Sequence, residues 1–326
     1  MLRPYKHINM LSRVADNLYW MSRYLERAEH TARLLGVMLN QMLDQEPHTI
    51  KPRWERMLLA LGVAPPPDGA RDPYTITRWL TFDPTQQNSI LSYIGAAREN
   101  ARQVREQISS EMWEQVNALY LRTRGSTMDA IWQEGATEFM QMVKEGAHLF
   151  HGVTDGTMIH GEGWRFIQLG RSLERAHATA ALLDVHYRPF LAADSPIPEY
   201  GEWVGLLKSC TAFEAYCKVY TAEMKPESIA EFLLLNPNFP RSVRFCADRI
   251  QQSLQIIGQL TGSRTASRAE RLAGRLRAAL DYAQVDEVMA DNMHDYLNSI
   301  GSQCAAIHNT IYQAYISYTV ESAISS

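Results

Sequence analysis

The chain has 326 residues, 46% of them hydrophobic and 21% charged, with a formal net charge of -4. That mix excludes an intrinsically disordered chain, and the slight acidity argues against DNA or RNA as the main partner. Four cysteines without a CxxC pair, and an N-terminal stretch broken by Arg13, Asp16 and Asn17, point to reduced thiols, no signal peptide and no membrane span, hence a cytoplasmic protein.

In chain order, periodicity and breakers predict helices over 10–45, 51–62, 74–82, 88–122, 127–149, 161–188, 200–223, 227–235, 240–260, 266–283 and 285–322. The first carries apolar residues at Val14, Leu18, Met21, Leu25, Ala28, Ala32, Leu35 and Leu39, stepping by four and three. This is the seam of a helix packed almost parallel or antiparallel to its neighbour. The helix over 161–188 repeats it with Phe166, Leu169, Leu173, Ala176, Ala180, Leu183 and Tyr187. Alanine at the middle positions lets a partner approach closely. The stretch from Gly62 to Pro73 is a Pro-rich loop, and His151–Thr157 and Thr123–Thr127 also read as loops. "FDPTQQNSI" and "LNPNFPRSV" are turns that start helices, with Ser89 and Ser242 as caps, at an offset near 153. Convincing alternation of β-branched residues is missing, so almost no sheet is expected.

The order long helix, shorter helix, loop, short helix and paired long helices occurs twice. "RYLERAEHTARLL" (Arg23 to Leu35) and "RSLERAHATAALL" (Arg171 to Leu183) align at an offset of 148, placing Arg23 on Arg171, Glu26 on Glu174 and Arg27 on Arg175. The expected fold is therefore all-α, a duplicated helical bundle whose pseudo-symmetric halves, 1–158 and 159–326, share a core.

Opposite the apolar seam lie Asp16, Arg23, Arg27 and His30, interleaved with Tyr19 and Trp20 and flanked by Glu26. A solvated face would carry lysine, and no lysine occurs from Ile8 to Asn40. Arginine is the cation tolerated in dry, bidentate pairs, so this face is expected to be half-buried. Two readings follow: an internal ion-pair network locking the helices, with Arg23–Glu26 as a local pair, or a site for an acidic group. The candidate ligand-binding residues are Arg23, Glu26, Arg27 and His30 with Arg171, Glu174, Arg175 and His177. Arg98, Arg102 and Arg105 step along a later helix, either as a solvated stripe or lining the same groove. Glu174 and His177 share the Glu-x-x-His spacing of di-metal bundles, but Glu29 stands where the first copy would need histidine, so no metal or other cofactor is assigned. "DNMHD" (Asp291 to Asp295) lacks a facing acidic cluster on a helix, and phosphate-loop, dinucleotide and hydrolase motifs are missing.

"LSRVADNLYWMSRYLERAEHTARLL", "NSILSYIGAARENARQVREQISSEMWEQVN", "HGVTDGTMIHGEGWRFIQLGRSLERAHATAALLD" and "PRSVRFC" together resemble the bacterial alpha-E domain family. The likeness covers nearly the whole chain. It implies an all-helical fold and a Glu-Arg motif at Glu26–Arg27 and Glu174–Arg175. "FDPTQQ" before Ser89 departs from the Asn-Pro-Asn-like turn expected there. The family resemblance implies association with a circularly permuted ATP-grasp protein, similar to peptide or amide ligases, and with a transglutaminase-like peptidase. An accessory role is expected, with an Arg/Glu-lined groove offered to an acidic peptide or small carboxylate. The alternatives are an enzyme using Glu and His groups and a purely structural interaction module.

Overall fold

A computed structural model describes residues 10, 12–42, 50–67, 69, 72–190, 200–261 and 266–316. The described residues are helical or lie in turns, and no strand occurs among them. The helices are α1 (Ser12–Met42), α2 (Ile50–Leu61), α3 (Pro73–Thr81), α4 (Ile90–Gln103), α5 (Ser110–Gly125), α6 (Met128–Glu134), α7 (Ala136–Thr157) and α8 (Glu162–Phe190). They continue with α9 (Tyr200–Ser209), α10 (Phe213–Tyr220), α11 (Pro226–Leu235), α12 (Val243–Thr261), α13 (Ala266–Asp281), α14 (Val285–Asp291) and α15 (Met293–Ile311), the last running into a π turn at Tyr312–Ile316.

Two long helices, α1 and α8, pack on each other at the centre. On the far side of α1 lie α4 and α7, with α5 between them; on the far side of α8 lie α12 and α15, with α13 between them. The apolar seam explains the central packing. Leu18, Leu25, Ala28, Ala32, Leu169, Leu173, Ala176 and Ala180 are all buried. Each fully buried leucine contributes about 1.5–3 kcal/mol. Gly170 marks the closest approach, because a Cβ there would lie 2.5 Å from the Tyr19 carbonyl oxygen. Both central helices are thus enclosed on several sides. Their polar faces are enclosed with them, and every charged group on those faces needs a partner.

Capping follows the sequence where the caps are local. Ser89 accepts a hydrogen bond from the Ser92 backbone at 3.2 Å, and Ser242 accepts one from Phe245 at 3.1 Å.

Several expected helices are broken. The span 88–122 divides after Gln103, because Ser109 accepts from the Met112 backbone at 3.1 Å and starts a fresh helix. The span 127–149 divides at Gly135, whose φ of +130° suits glycine alone, and α7 then runs through the expected loop as far as Thr157. The span 200–223 divides at Thr211, with φ of +52°. The span 285–322 divides at Asn292, whose side chain accepts from the Asp295 backbone at 3.2 Å. Residues 191–199, between the expected helices 161–188 and 200–223, lie outside the described residues, as do 43–45 and 317–322 at the ends of two expected helices. Cys210, Cys246 and Cys304 are buried free thiols, and Cys217 is half-buried.

Candidate functional site

Where α1 crosses α8, arginines and glutamates are exchanged between the helices. Glu174 of α8 receives Arg23 Nε at 2.5 Å and Arg27 Nη2 at 2.8 Å, both on its Oε1. Glu26 of α1 receives Arg175 Nε at 2.8 Å and Arg241 Nη1 at 2.6 Å, both on its own Oε1. Arg241 sits in the turn before α12 and also donates to Glu29 Oε2 at 2.9 Å. Arg33 donates to both Glu29 oxygens at 2.5 Å and to the Ser209 carbonyl at 2.6 Å. The local Arg23–Glu26 pairing expected from spacing is replaced by this exchange, since the partner helix offers a better-placed carboxylate.

Burial works against charging these carboxylates, but the guanidiniums win. Despite desolvation, Arg23 and Arg27 hold Glu174 down at about 2, and Arg175 and Arg241 hold Glu26 well below the ordinary carboxylate range. Glu29 is lowered in the same way by Arg241 and Arg33. Histidines beside the network stay neutral. Burial, then Arg33, pushes His30 down to about 3; burial depresses His151 to about 4, and burial together with Arg23 depresses His308 to about 4.

The hydrogen bonds fix two of the tautomers. His308 Nδ1 lies 2.8 Å from Arg23 Nη1 and 2.9 Å from the Tyr19 hydroxyl, so it accepts and carries its proton on Nε2. Arg33 Nη2 lies 2.8 Å from His30 Nδ1, which must likewise accept. The His30 proton is therefore on Nε2, and that atom is buried without a hydrogen-bond partner. A buried donor left unmatched costs about 1–3 kcal/mol.

His30 borders a cleft of about 520 Å³ between α1, α2, α8, α15 and the turn before α4. Arg27, Glu174 and His177 form its inner wall, and Asn88, Tyr93 and Leu59 line the side opposite α8. At its rim Asp184 accepts from Arg188 Nη2 at 2.6 Å and faces His294 Nδ1 at 2.5 Å, while Asn298 Nδ2 reaches His294 Nε2 at 2.9 Å. The volume lies within the range of small-molecule sites. Among the described residues, no group of three or more His, Cys, Asp or Glu side chains converges as metal ligands.

Of the candidate residues, Arg23, Glu26, Arg27, His30, Glu174, Arg175 and His177 gather at the crossing or in the cleft. Arg171 does not take the part that Arg23 plays. It donates to Gln168, and burial, with Arg175 beside it, lowers it to about 10. Arg98 donates to Asn117 at 2.7 Å and stacks on Tyr120, and Arg102 pairs with Glu99 on an exposed face, so neither lines the cleft. Sequence reasoning missed Glu29, Arg33, Asp184, His294 and above all Arg241. Arg241 stands immediately before the capping Ser242, and that position was its one signal.

The family model of Alpha-E, described as "a predicted alpha-helical domain with a conserved ER motif", matches residues 10–316. The chain belongs to the Alpha-E family. Two Glu-Arg steps of this Alpha-E chain, Glu26–Arg27 and Glu174–Arg175, are the ones whose four side chains interlock at the crossing. The chain is 25% identical over 329 residues to uncharacterized proteins of Mycobacterium bovis and of two strains of Mycobacterium tuberculosis, covering 92% of itself and 35% of each relative. It thus spans about a third of the length of the curated relatives it matches. No solved structure matches it. No helix among the described residues of this Alpha-E chain is long and apolar enough to cross a membrane.

Proposed function

We propose that this Alpha-E chain is an accessory, ligand-presenting partner of an ATP-grasp-type peptide or amide ligase, and that its cleft holds the carboxylate of an acidic peptide or small acid. One observation carries the reading: the Arg27 side chain, 30% exposed, and His177, which burial holds towards its neutral form, share the wall of the same cleft. A neutral donor beside a fixed cation is an arrangement that suits a carboxylate and leaves little for an apolar guest. The remaining arginines of the network already face carboxylates, so they serve chiefly to hold α1 against α8. We read the repeated Arg/Glu exchange as the trace of an internal duplication, with the transglutaminase-like peptidase as a further partner of the same system.

Calorimetric titration of the whole chain with an acidic peptide and with glutarate tests the carboxylate site, using Arg27→Met as the comparison. Binding that disappears in the variant supports the reading, and a wild-type chain that binds neither probe rejects it. Affinity capture from the native cell tests the partnership: recovery of an ATP-grasp protein supports it, and its absence from a capture that retains the chain counts against it.

A second reading, chemistry performed by the chain itself, draws on the Asp184–His294 pair at the cleft rim. His294→Gln leaving the output of a reconstituted ligase reaction unchanged would remove it.

A further inference from the structure

The two carboxylates at the crossing are alike in partners, each taking two guanidiniums on its Oε1, but not in surroundings. Glu26 lies among Arg175, Arg241, Glu29 and Arg33, and its Oε2 is sealed from solvent without a hydrogen bond. Glu174 opens on the 520 Å³ cleft. The repeat register explains the difference. At the offset of 148, Glu29 is replaced by His177, His30 by Ala178 and Arg33 by Ala181. At the offset of 153 that aligns the capping serines, Arg241 falls on Asn88. Large charged side chains fill one position, and small or neutral ones leave its counterpart empty.

The atoms left open in the cleft define a pattern. Both Arg23 and Arg27 converge on Glu174 Oε1, and Glu174 Oε2 accepts no hydrogen bond from the described residues. Arg27 gives Glu174 one nitrogen only, Nη2. An arginine and a glutamate joined by a single bond of their possible two present a donor edge and an acceptor oxygen side by side. An α-amino acid carries the complementary pair, a carboxylate next to an ammonium.

We infer that the cleft recognises the charged head of a free α-amino acid, its carboxylate on Arg27 and its ammonium on Glu174 Oε2. This rests on the carboxylate reading above and adds to it the demand for an amine. Such a ligand is the amine-bearing reactant of amide-bond formation, held with its nitrogen protonated until released.

The test compares L-glutamate, N-acetyl-L-glutamate and glutarate on the unaltered chain, by calorimetry and by the NMR shifts of the His30 and His177 side chains. L-glutamate is expected to bind about tenfold more tightly than either probe lacking the ammonium, as befits loss of one charged hydrogen bond. Equal binding of all three would overturn the amine while leaving the carboxylate site standing. Binding of none would remove both. Glu174→Gln, checked for its helical signal and melting, is expected to erase the preference for L-glutamate; a folded variant that keeps the preference contradicts the inference. The ligand series needs no variant, so a failure of Glu174→Gln to fold leaves the decision with it.

Discussion

Arg175 and Glu26 meet at 2.8 Å across the crossing of α1 and α8, and Arg241 closes on the same carboxylate oxygen at 2.6 Å. A buried carboxylate with two guanidiniums is secured twice, and the two partners are not equivalent to the group they share. Glu26→Ala strands Arg175, while Arg241 keeps Glu29. The expected loss is about 3–5 kcal/mol, the range for an uncompensated buried charge. Arg175→Met leaves Glu26 with Arg241, so its loss should be smaller, about 1.5–3 kcal/mol, one charged hydrogen bond. Urea denaturation of both variants measures the order, and a larger loss for Arg175→Met would contradict it.

The same network sets a dependence on acidity. His30, His151 and His308 take up protons less readily folded than unfolded, at about 3, about 4 and about 4. Below about pH 6.5 the unfolded chain therefore binds more protons, and stability falls as the pH is lowered. Glu174, held at about 2, adds a second loss as the pH drops from about 4.3 towards that value. Denaturation midpoints should decline from pH 6.5 and steepen below 4.5. A flat profile between pH 7 and 4 would show the histidines to be ordinary.

Gly170 tests the closeness of the central helices. A methyl group there would press on the Tyr19 carbonyl at 2.5 Å and the Ser22 hydroxyl at 2.4 Å, and backbone cannot step aside as a side-chain tip does. Gly170→Ala should cost about 1–3 kcal/mol, despite the better helix propensity of alanine. Gly274, with its nearest contact at 3.4 Å to the Gln251 amide, should accept alanine with little change. Paired thermal melts decide between them.

Thiol chemistry should separate the cysteines. Burial raises Cys246 and Cys304 to about 12 and Cys210 to about 11, so their thiolates are scarce at neutral pH. Native protein treated with a disulfide reagent at pH 8 should give one fast equivalent, at Cys217, and the other three only on unfolding. Rapid reaction at Cys246 would mean that α12 opens readily.

Much of this was written in the sequence. The seams of α1 and α8 step by three and four without interruption, so periodicity alone placed them together, and Ser89 and Ser242 cap their helices through neighbours three residues away. The breaks were harder to see. "VREQIS" after Gln103 contains neither glycine nor proline, and the division arises from a serine cap that competes with a continuing helix. Asn292 divides a second run in the same way. The charged site was half legible. Its arginines and glutamates on α1 and α8 could be grouped by face, but Arg241 reaches them from a turn 215 positions after Glu26, a distance no local pattern encodes. Glu29 and Arg33, four apart on α1, carry no local mark of burial, and it is the Ser209 carbonyl and the Arg241 turn that close over them.

The crossing also dictates an order of events during synthesis. Glu26 leaves the ribosome long before Arg175, Arg241 follows later still, and His308, which completes Arg23, comes after both. Until then Arg23, Glu26 and Arg27 have water in place of their partners, and α1 has every reason to stay wet. The first half is thus expected to wait as a loosely collapsed intermediate, tightening in a single late event once α8 and α12 arrive, and released fragments ending near residue 158 should be prey for proteases.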